Sequence, residues 1–337
     1  ISSTKMKTLL AIDYTTNWIE KFKNAKLDNG EEIKVEQVEW KDLSVEMSAE
    51  DGAVVFCKQS EAPLPFTNQK EDRIVKPDFV LVRNFPISLR SKDYKSQVMG
   101  LMAANLGSVN SLNSIFMCMH RPLLYGELLR ISKEIHASPD STEEEKSIDI
   151  VPLRYCANAT ISSLGKSNLS KPSKNDKLHS GQFPTVVKVS NTHAGYGKMA
   201  LKNDTEFDDL RCILALREDY YTSEPMIEFE YEFRIQKIGD NYRCFRRNSD
   251  TSWKGNWGNV KFVDHEMQPH YKKWADKCSE IFGGLDIFGI DVLQLKDGSC
   301  IILELNDTAT GLMWEHEEED CQHIKEVVLQ RMNERFQ

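Results

Sequence analysis

"CIILELND" occupies residues 300–307. It opens as a plain buried strand, and then Glu304 and Asn306 fall on one face while Leu303 and Leu305 fall on the other, because successive side chains of a strand point to opposite sides. An acid and an amide in a segment otherwise fit for burial need a reason. Just upstream, Asp297-Gly298 in "QLKDGSC" is a two-residue hairpin signal. That turn predicts antiparallel strands in which Asp291 faces Glu304, with Ile290, Val292, Leu303 and Leu305 on the opposite face. Directly opposed side chains sit about 4.5–5.5 Å apart at Cβ, and like charges there destabilise a sheet, so a compensating cation is expected. With Asn306, three oxygen donors converge. Such a set suits a hard divalent cation, Mg²⁺ or Ca²⁺, shared with substrate phosphates. The same alternation also describes a half-exposed hairpin that binds nothing.

A second anomaly lies upstream. Lys188 interrupts the apolar run "PTVVKVS", and "NTHAGYGK" (residues 191–198) then places two glycines and a lysine between two strand-like runs. Glycine lets backbone approach a ligand closely, and successive N–H groups can cradle an anion. The loop is neither a Walker A motif nor the dinucleotide Gly-x-Gly-x-x-Gly, and a glycine-rich hairpin can also be simply a turn. After it come a Glu-Pro-apolar-apolar hinge at residues 224–227, then Glu232, then the late Asp291, Glu304 and Asn306. That is the order of parts in an ATP-grasp nucleotide site.

The rest of the chain supplies a setting. Its first part alternates strands and helices: "KTLLAID", an amphipathic run over residues 17–22, "IKVEQVEW", "KPDFVLVR", and a helix in "DYKSQVMGLMAANLG" stopped by Gly107. This predicts a parallel sheet in a small α/β domain over residues 1–110. A helix over 121–136 carries Pro122 in its first turn, where a missing N–H costs nothing. Residues 166–182, rich in Ser, Lys and Asn, read as a mobile surface loop. Later expectations are a helix over 206–217, a continuous strand in "EPMIEFEYEFRIQKIG", and a final helix whose Ile324, Val327, Val328 and Met332 pack on a sheet. The fold class is therefore α/β, an ATP-grasp fold (residues 111–337, with a glycine-loop lid around 185–226) preceded by a small Rossmann-like pre-ATP-grasp domain.

Composition narrows the function. A net charge of −9 argues against a nucleic-acid binder, which would need a clustered basic face. Trp253 and Trp257, amid basic residues, are then expected to pack in a site wall rather than stack on bases. Eight cysteines without a C-x-x-C pair fit a reduced, cytosolic protein. Neither an apolar leader nor an eighteen-residue apolar run is visible.

The strings "IKVEQVEW", "KPDFVLVR", "SVNSLNSIF", "FPTVVKVSNTHAGYGK", "SEPMIEFEYEFRIQKIGDNY", "SWKGNWG", "KWADKCSEIFGGLDI" and "EHEEEDCQHIKEVV" closely resemble the central ATP-binding domain of the synapsins, in that family's order. The resemblance implies a homodimer or tetramer that binds ATP with a metal. It also implies a cytoplasmic protein, peripheral on synaptic vesicles through their membrane or its proteins, that regulates vesicle clustering and release. Carried over by position, Lys188 is the nucleotide lysine. His193, Ala194, Gly195, Tyr196, Gly197 and Lys198 form the phosphate-covering loop, and Glu224, Met226 and Ile227 the adenine hinge. Glu232 binds ribose, Lys254 and Asn256 lie near the terminal phosphate, and Glu304 binds metal. Departures accompany these matches. Arg121-Pro122 stands where synapsins carry lysine before proline, exchanging a point charge for a planar fork. Vertebrate synapsins typically carry lysine in place of Asp291 and lack the asparagine, whereas this chain has Asp291, Glu304 and Asn306 together. It shares that triad with catalytic relatives such as glutathione synthetase and the D-alanine ligases, which form an acylphosphate that an amine then attacks. The alternative is therefore an active carboxylate–amine ligase, with Arg234, Arg246 and Arg247 as candidate acceptor residues and His316 as a marginal one.

Overall fold

The computed structural model describes residues 6–59, 71–88, 92–157, 183–193, 195–216, 219–249 and 260–337. Ala194, Lys254, Asn256, Trp253, Trp257 and the stretch 166–182 lie outside them.

The chain begins with β1 (Met6–Ile12), a short α1 (Trp18–Lys21) and β2 (Glu32–Val38). A side sheet follows, made of β3 (Leu43–Ser48), β4 (Gly52–Cys57) and β5 (Arg73–Val75). Then come β6 (Phe79–Val82), α2 (Lys95–Ala103) and β7 (Gly107–Val109). The strands order as β2-β1-β6-β7, all parallel. Burial on both faces explains why β6 and the second half of β1, Leu9 to Ile12, read as unbroken apolar runs. Leu9, Ala11, Phe79 and Leu81 face one core, and Leu10, Ile12, Val80 and Val82 the other. The stop of α2 differs from expectation. Asn105, at φ +52°, breaks the helix, and Gly107 instead opens β7. A Cβ at Gly107 would lie 2.6 Å from both Phe79 and Arg335, so this glycine serves close packing.

Next come α3 (Leu112–Cys118), capped by the Ser111 hydroxyl accepting the Ser114 N–H, and α4 (Arg121–Ala137). Two further sheets follow, antiparallel apart from one parallel edge pair in the larger. The smaller contains β9 (Arg154–Cys156), β10 (Thr185–Val189), β11 (Lys198–Leu201) and β12 (Tyr221–Pro225), ordered β11-β10-β12-β9, with α5 (Asp204–Leu214) packed on it. The larger is ordered β15-β14-β13-β16-β17-β8. Its strands are β8 (Ile148–Ile150), β13 (Tyr231–Ile238), β14 (Asn241–Ser249), β15 (Val260–Asp264), β16 (Ile287–Gln294) and β17 (Cys300–Asn306). One face of this sheet packs on α4 and α6 (Pro269–Cys278) through Phe233, Ile290, Val292, Leu128 and Trp274.

The single strand expected over "EPMIEFEYEFRIQKIG" is two. Pro225 ends β12, and residues 226–230 cross to the other sheet before β13 begins. Residues 224–227, expected to form a hinge, span the end of β12 and the start of this crossing. The last helix, α7 (Glu317–Phe336), buries Ile324, Val327, Val328 and Met332 against the first parallel sheet and the ends of β13 and β16. It thus completes a core begun three hundred residues earlier. No described helix is long and apolar enough to cross a membrane.

Candidate nucleotide and metal site

Between these two sheets lie two adjoining cavities of about 400 and 270 Å³. Both touch Lys188, Lys198, Glu224, Arg247, Leu303 and Glu304. Lys188 is the reason the apolar run of β10 is interrupted. Its side chain crosses a buried layer, and its Nζ lies 2.5 Å from the Glu224 carboxylate. Burial pulls the Lys188 ammonium below its ordinary pKa, and Glu224 opposes that pull. Lys198 pairs with Lys188 in the β10–β11 register, which brings two ammonium groups to one side of the cleft. Each has one carboxylate in reach, Glu224 at 2.5 Å from Lys188 and Glu304 at 3.6 Å from Lys198.

The glycine loop between them is shaped by its backbone. Gly195 and Gly197 adopt φ of +79° and +63°, and a Cβ at Gly197 would sit 2.5 Å from the Thr192 hydroxyl, so only glycine fits there. The loop also touches the segment that follows β6. His193 Nε2 lies 2.7 Å from the Ile87 carbonyl, and its ring meets Phe85 edge-on at 4.9 Å. Tyr196 points outward. On the other side, Met226, Ile227 and Glu232 line the smaller cavity with Glu224.

The late hairpin sets Asp291 opposite Glu304, but by a different route from the one its turn signal implies. The loop is three residues, Lys296 to Gly298, closed by Gly298 N–H to the Leu295 carbonyl and Leu295 N–H to the Ser299 carbonyl, with Gly298 at φ +89°. That turn pairs Gln294 with Cys300 and Val292 with Ile302. A bulge at Leu303 then shifts the register back, so that Asp291 meets Glu304 and Gly289 meets Asn306. The two departures cancel at the acids and not at Leu303. Expected on the face of Leu305, which packs in the core with Ile290 and Val292, Leu303 instead packs with Leu293 and Ile301 and lines both cavities beside Glu304.

The charges around the acids are the main correction to the sequence reading. Asp291 takes a two-pronged bond from Arg234 (Nε 2.6 Å, Nη2 2.8 Å), a third from Arg247 Nη2 (2.9 Å) and a fourth from the Asn306 amide (3.1 Å). Side-chain cations therefore answer its charge, and no bound ion is required for that. Burial pushes the Asp291 carboxyl up, to about 6, against the pull of Arg247. Glu232 shares Arg247 at 3.1 Å; burial, and then the Asp291 charge, raise it to about 7. Glu304 differs. Its contacts are Lys198 at 3.6 Å and Arg121 at 3.4 Å, and the Lys198 ammonium holds its carboxyl well below the ordinary range.

Arg234 and Arg247, read from the sequence as acceptor candidates, are thus tied to Asp291. Arg246 leaves the site and stacks over Tyr231 at 3.6 Å. His316 pairs with Asp264 at 3.4 Å and lines neither cavity. Arg121, at the start of α4, donates Nη2 to the Thr192 carbonyl at 3.0 Å, while its buried Nε–H has no partner among the described residues.

Reading the sequence for motifs missed three residues around the loop after β17. Arg83 donates to the carbonyls of Thr308 and Thr310, Thr310 accepts from Arg234 at 3.0 Å, and Asp307 lines the larger cavity. One signal was present: Arg83 is a charge ending an apolar strand, as Lys188 is a charge inside one.

The donors available fit a divalent cation in part. Glu304 offers a carboxylate held only by longer contacts to cations from other elements, and Asn306 turns its amide nitrogen to Asp291, leaving its carbonyl oxygen as a hard donor. Both Asp291 oxygens are engaged.

A family model described as "Synapsin, ATP binding domain" matches residues 167–334, and one described as "Synapsin pre-ATP-grasp domain" matches residues 2–108. Synapsin of Drosophila melanogaster is 30% identical over 337 residues, covering 98% of this chain and 30% of that protein's length. Among solved structures, a RimK domain ATP-grasp protein from Sphaerobacter thermophilus is 12% identical with a TM-score of 0.59, over 96% of this chain and 99% of that one. The D-alanine-D-alanine ligase from Coxiella burnetii is 13% identical with a TM-score of 0.57, over 99% and 95%. The ATP-grasp ligase PsnB, in complex with a precursor variant, Mg and ADP, is 11% identical with a TM-score of 0.59, over 98% and 99%. At these identities the structural likeness establishes the fold, which is ATP-grasp.

Proposed function

We propose, for a chain that belongs to the synapsin family, that the cleft between these two sheets binds ATP together with a divalent cation of the Mg²⁺ or Ca²⁺ class. The observation that carries this reading is the convergence of Arg121, Lys188 and Lys198, from three separate elements, around Glu304 at the junction of two cavities. A buried Arg121 Nε–H with no partner among the described residues, and two lysines paired in register, are suited to a polyphosphate. The smaller cavity, bounded by Met226, Ile227 and Glu232, takes the nucleoside; Glu224 and the hinge backbone read the base edge, and Glu232 the ribose. His193 to Lys198 cover the phosphates, and Lys254 and Asn256 belong to the terminal-phosphate end.

Glu304 and the Asn306 carbonyl hold the cation, and Asp291 joins them only by giving up a guanidinium. The cation would neutralise phosphate charge. On the family's precedent the protein acts at the synaptic vesicle surface, peripheral to the membrane and as a homodimer, with residues 1–110 as the pre-ATP-grasp unit and 185–226 as the lid. A ligase reading is favoured by one observation, the intact acid pair with Asn306 on one hairpin; positioning and charge neutralisation are most of what phosphoryl transfer requires.

Titration calorimetry with ATP and Mg²⁺ tests the site. Lys188→Ala is expected to weaken ATP at least tenfold, about 1.4 kcal/mol; equal affinity in the variant rejects the assignment. ADP release many-fold above the ATP-only background, with paired small acids and amines, would establish the ligase.

A further inference from the structure

His193 opens the loop that covers the phosphates, yet its ring is turned elsewhere. The half-buried imidazole meets Phe85 edge-on at 4.9 Å, and Nε2 lies 2.7 Å from the Ile87 carbonyl. A carbonyl can only accept, so Nε2 carries the proton and donates it. Burial, partly offset by backbone bonds to Ile87 and Ser88, holds the imidazole below its ordinary pKa. Near pH 7 the ring is therefore neutral, with a single N–H, and that one is spent on Ile87. No donor is left for an anion.

The carbonyl belongs to a segment held from several sides. Ile87 is buried. The Asn84 carbonyl accepts Trp40 Nε1 at 2.8 Å, the Asn84 amide donates to Asp13 at 3.1 Å, and the Pro86 carbonyl accepts the Tyr94 N–H at 3.0 Å. The loop's own backbone is freer. Gly195 and Gly197 stand at positive φ between His193 and Lys198, and glycine gives up the most conformational freedom when it is ordered. The Tyr196 N–H donates to the His193 carbonyl at 3.1 Å, so a fixed His193 carries the next turn with it.

We propose that His193 is a positioning residue: it fastens the start of the glycine loop to residues 85–87 and thereby sets where Lys198 meets a phosphate. The inference rests on the proposed nucleotide site for the anion alone; the fastening itself needs no nucleotide.

The test is hydrogen-exchange mass spectrometry on the whole chain without nucleotide, read over residues 192–201, with calorimetry of ATP and Mg²⁺ on the same samples. His193→Leu is expected to speed exchange there at least tenfold, to leave β16 unchanged, and to weaken ATP at least fivefold. His193→Gln, which keeps an N–H donor, is expected to return loop exchange to within threefold of wild type. Phe85→Ala, which leaves His193 itself intact, is expected to speed it at least threefold. Weaker ATP in His193→Leu with loop exchange unchanged would mark His193 as a direct phosphate ligand and overturn the proposal. So would exchange as fast in His193→Gln as in His193→Leu, or faster exchange with ATP affinity unaltered. If His193→Leu does not fold, unchanged loop exchange in Phe85→Ala overturns it. A wild-type chain that binds no ATP rejects the nucleotide site, while the exchange data still decide the fastening.

Discussion

Asp291 and Glu304 face each other across one hairpin, and their charges are met in opposite ways. The partners of Asp291 come from its own sheet: Arg234 on β13, Arg247 on β14 and Asn306 on β17, at 2.6–3.1 Å. Those of Glu304 come from α4 and β11, across the cleft, at 3.4 and 3.6 Å. The first arrangement is part of the sheet. The second can be exchanged, because Arg121 and Lys198 are free to turn to a phosphate if a metal takes their place on Glu304. One acid is thus an anchor, and the other is the proposed metal ligand.

The largest expected effect that could break this contrast is on stability. Asp291→Asn leaves buried Arg234 without its carboxylate and Arg247 with Glu232 alone, and should cost about 3–5 kcal/mol, read from the urea midpoint. Glu304→Gln removes the carboxylate that Arg121, Lys188 and Lys198 surround, but its contacts are longer and lie at the cleft, so it should cost less, about 1–3 kcal/mol. Equal losses in the two variants would erase the distinction.

A smaller effect sharpens it through pH. Glu232 in the folded chain is raised to about 7 by burial and by Asp291, above its ordinary 4.5. The folded state therefore holds a proton that the unfolded state gives up, and this group's contribution to stability falls as pH rises from about 4.5 to 7. Glu232→Gln should flatten the stability profile in that window. A profile with unchanged slope there would mean that Arg247 already keeps Glu232 ionised.

Much of this was legible in the sequence, for local reasons. Lys188 inside an apolar run, positive-φ glycines beside a lysine, and a charged face on a late strand are each short-range signals, and the structure brings those residues to one cleft. What escaped depends on strands far apart in the chain. Consecutive strands declare their hairpins, but β13 pairs with β16 across fifty residues, and that pairing sets Arg234 directly beside Asp291. Nothing local announces it, so Arg234 and Arg247 read as surface charges or acceptor residues, and the compensating cation was sought in a ligand. The bulge at Leu303 was equally hidden, since a dipeptide Asp-Gly serves loops of two and of three residues. Asp307 stood inside the opening stretch and drew no attention, because its place in the cavity wall is a property of the fold alone.

The central claim is that Glu304 takes up the divalent ion that accompanies ATP. The most direct measurement is the ATP affinity of wild-type chain and Glu304→Gln, each titrated with Mg²⁺ and again with a chelator. Wild-type affinity should rise at least tenfold with Mg²⁺ while that of Glu304→Gln stays nearly the same in both conditions. A Mg²⁺ response of equal size in the two proteins would contradict the account.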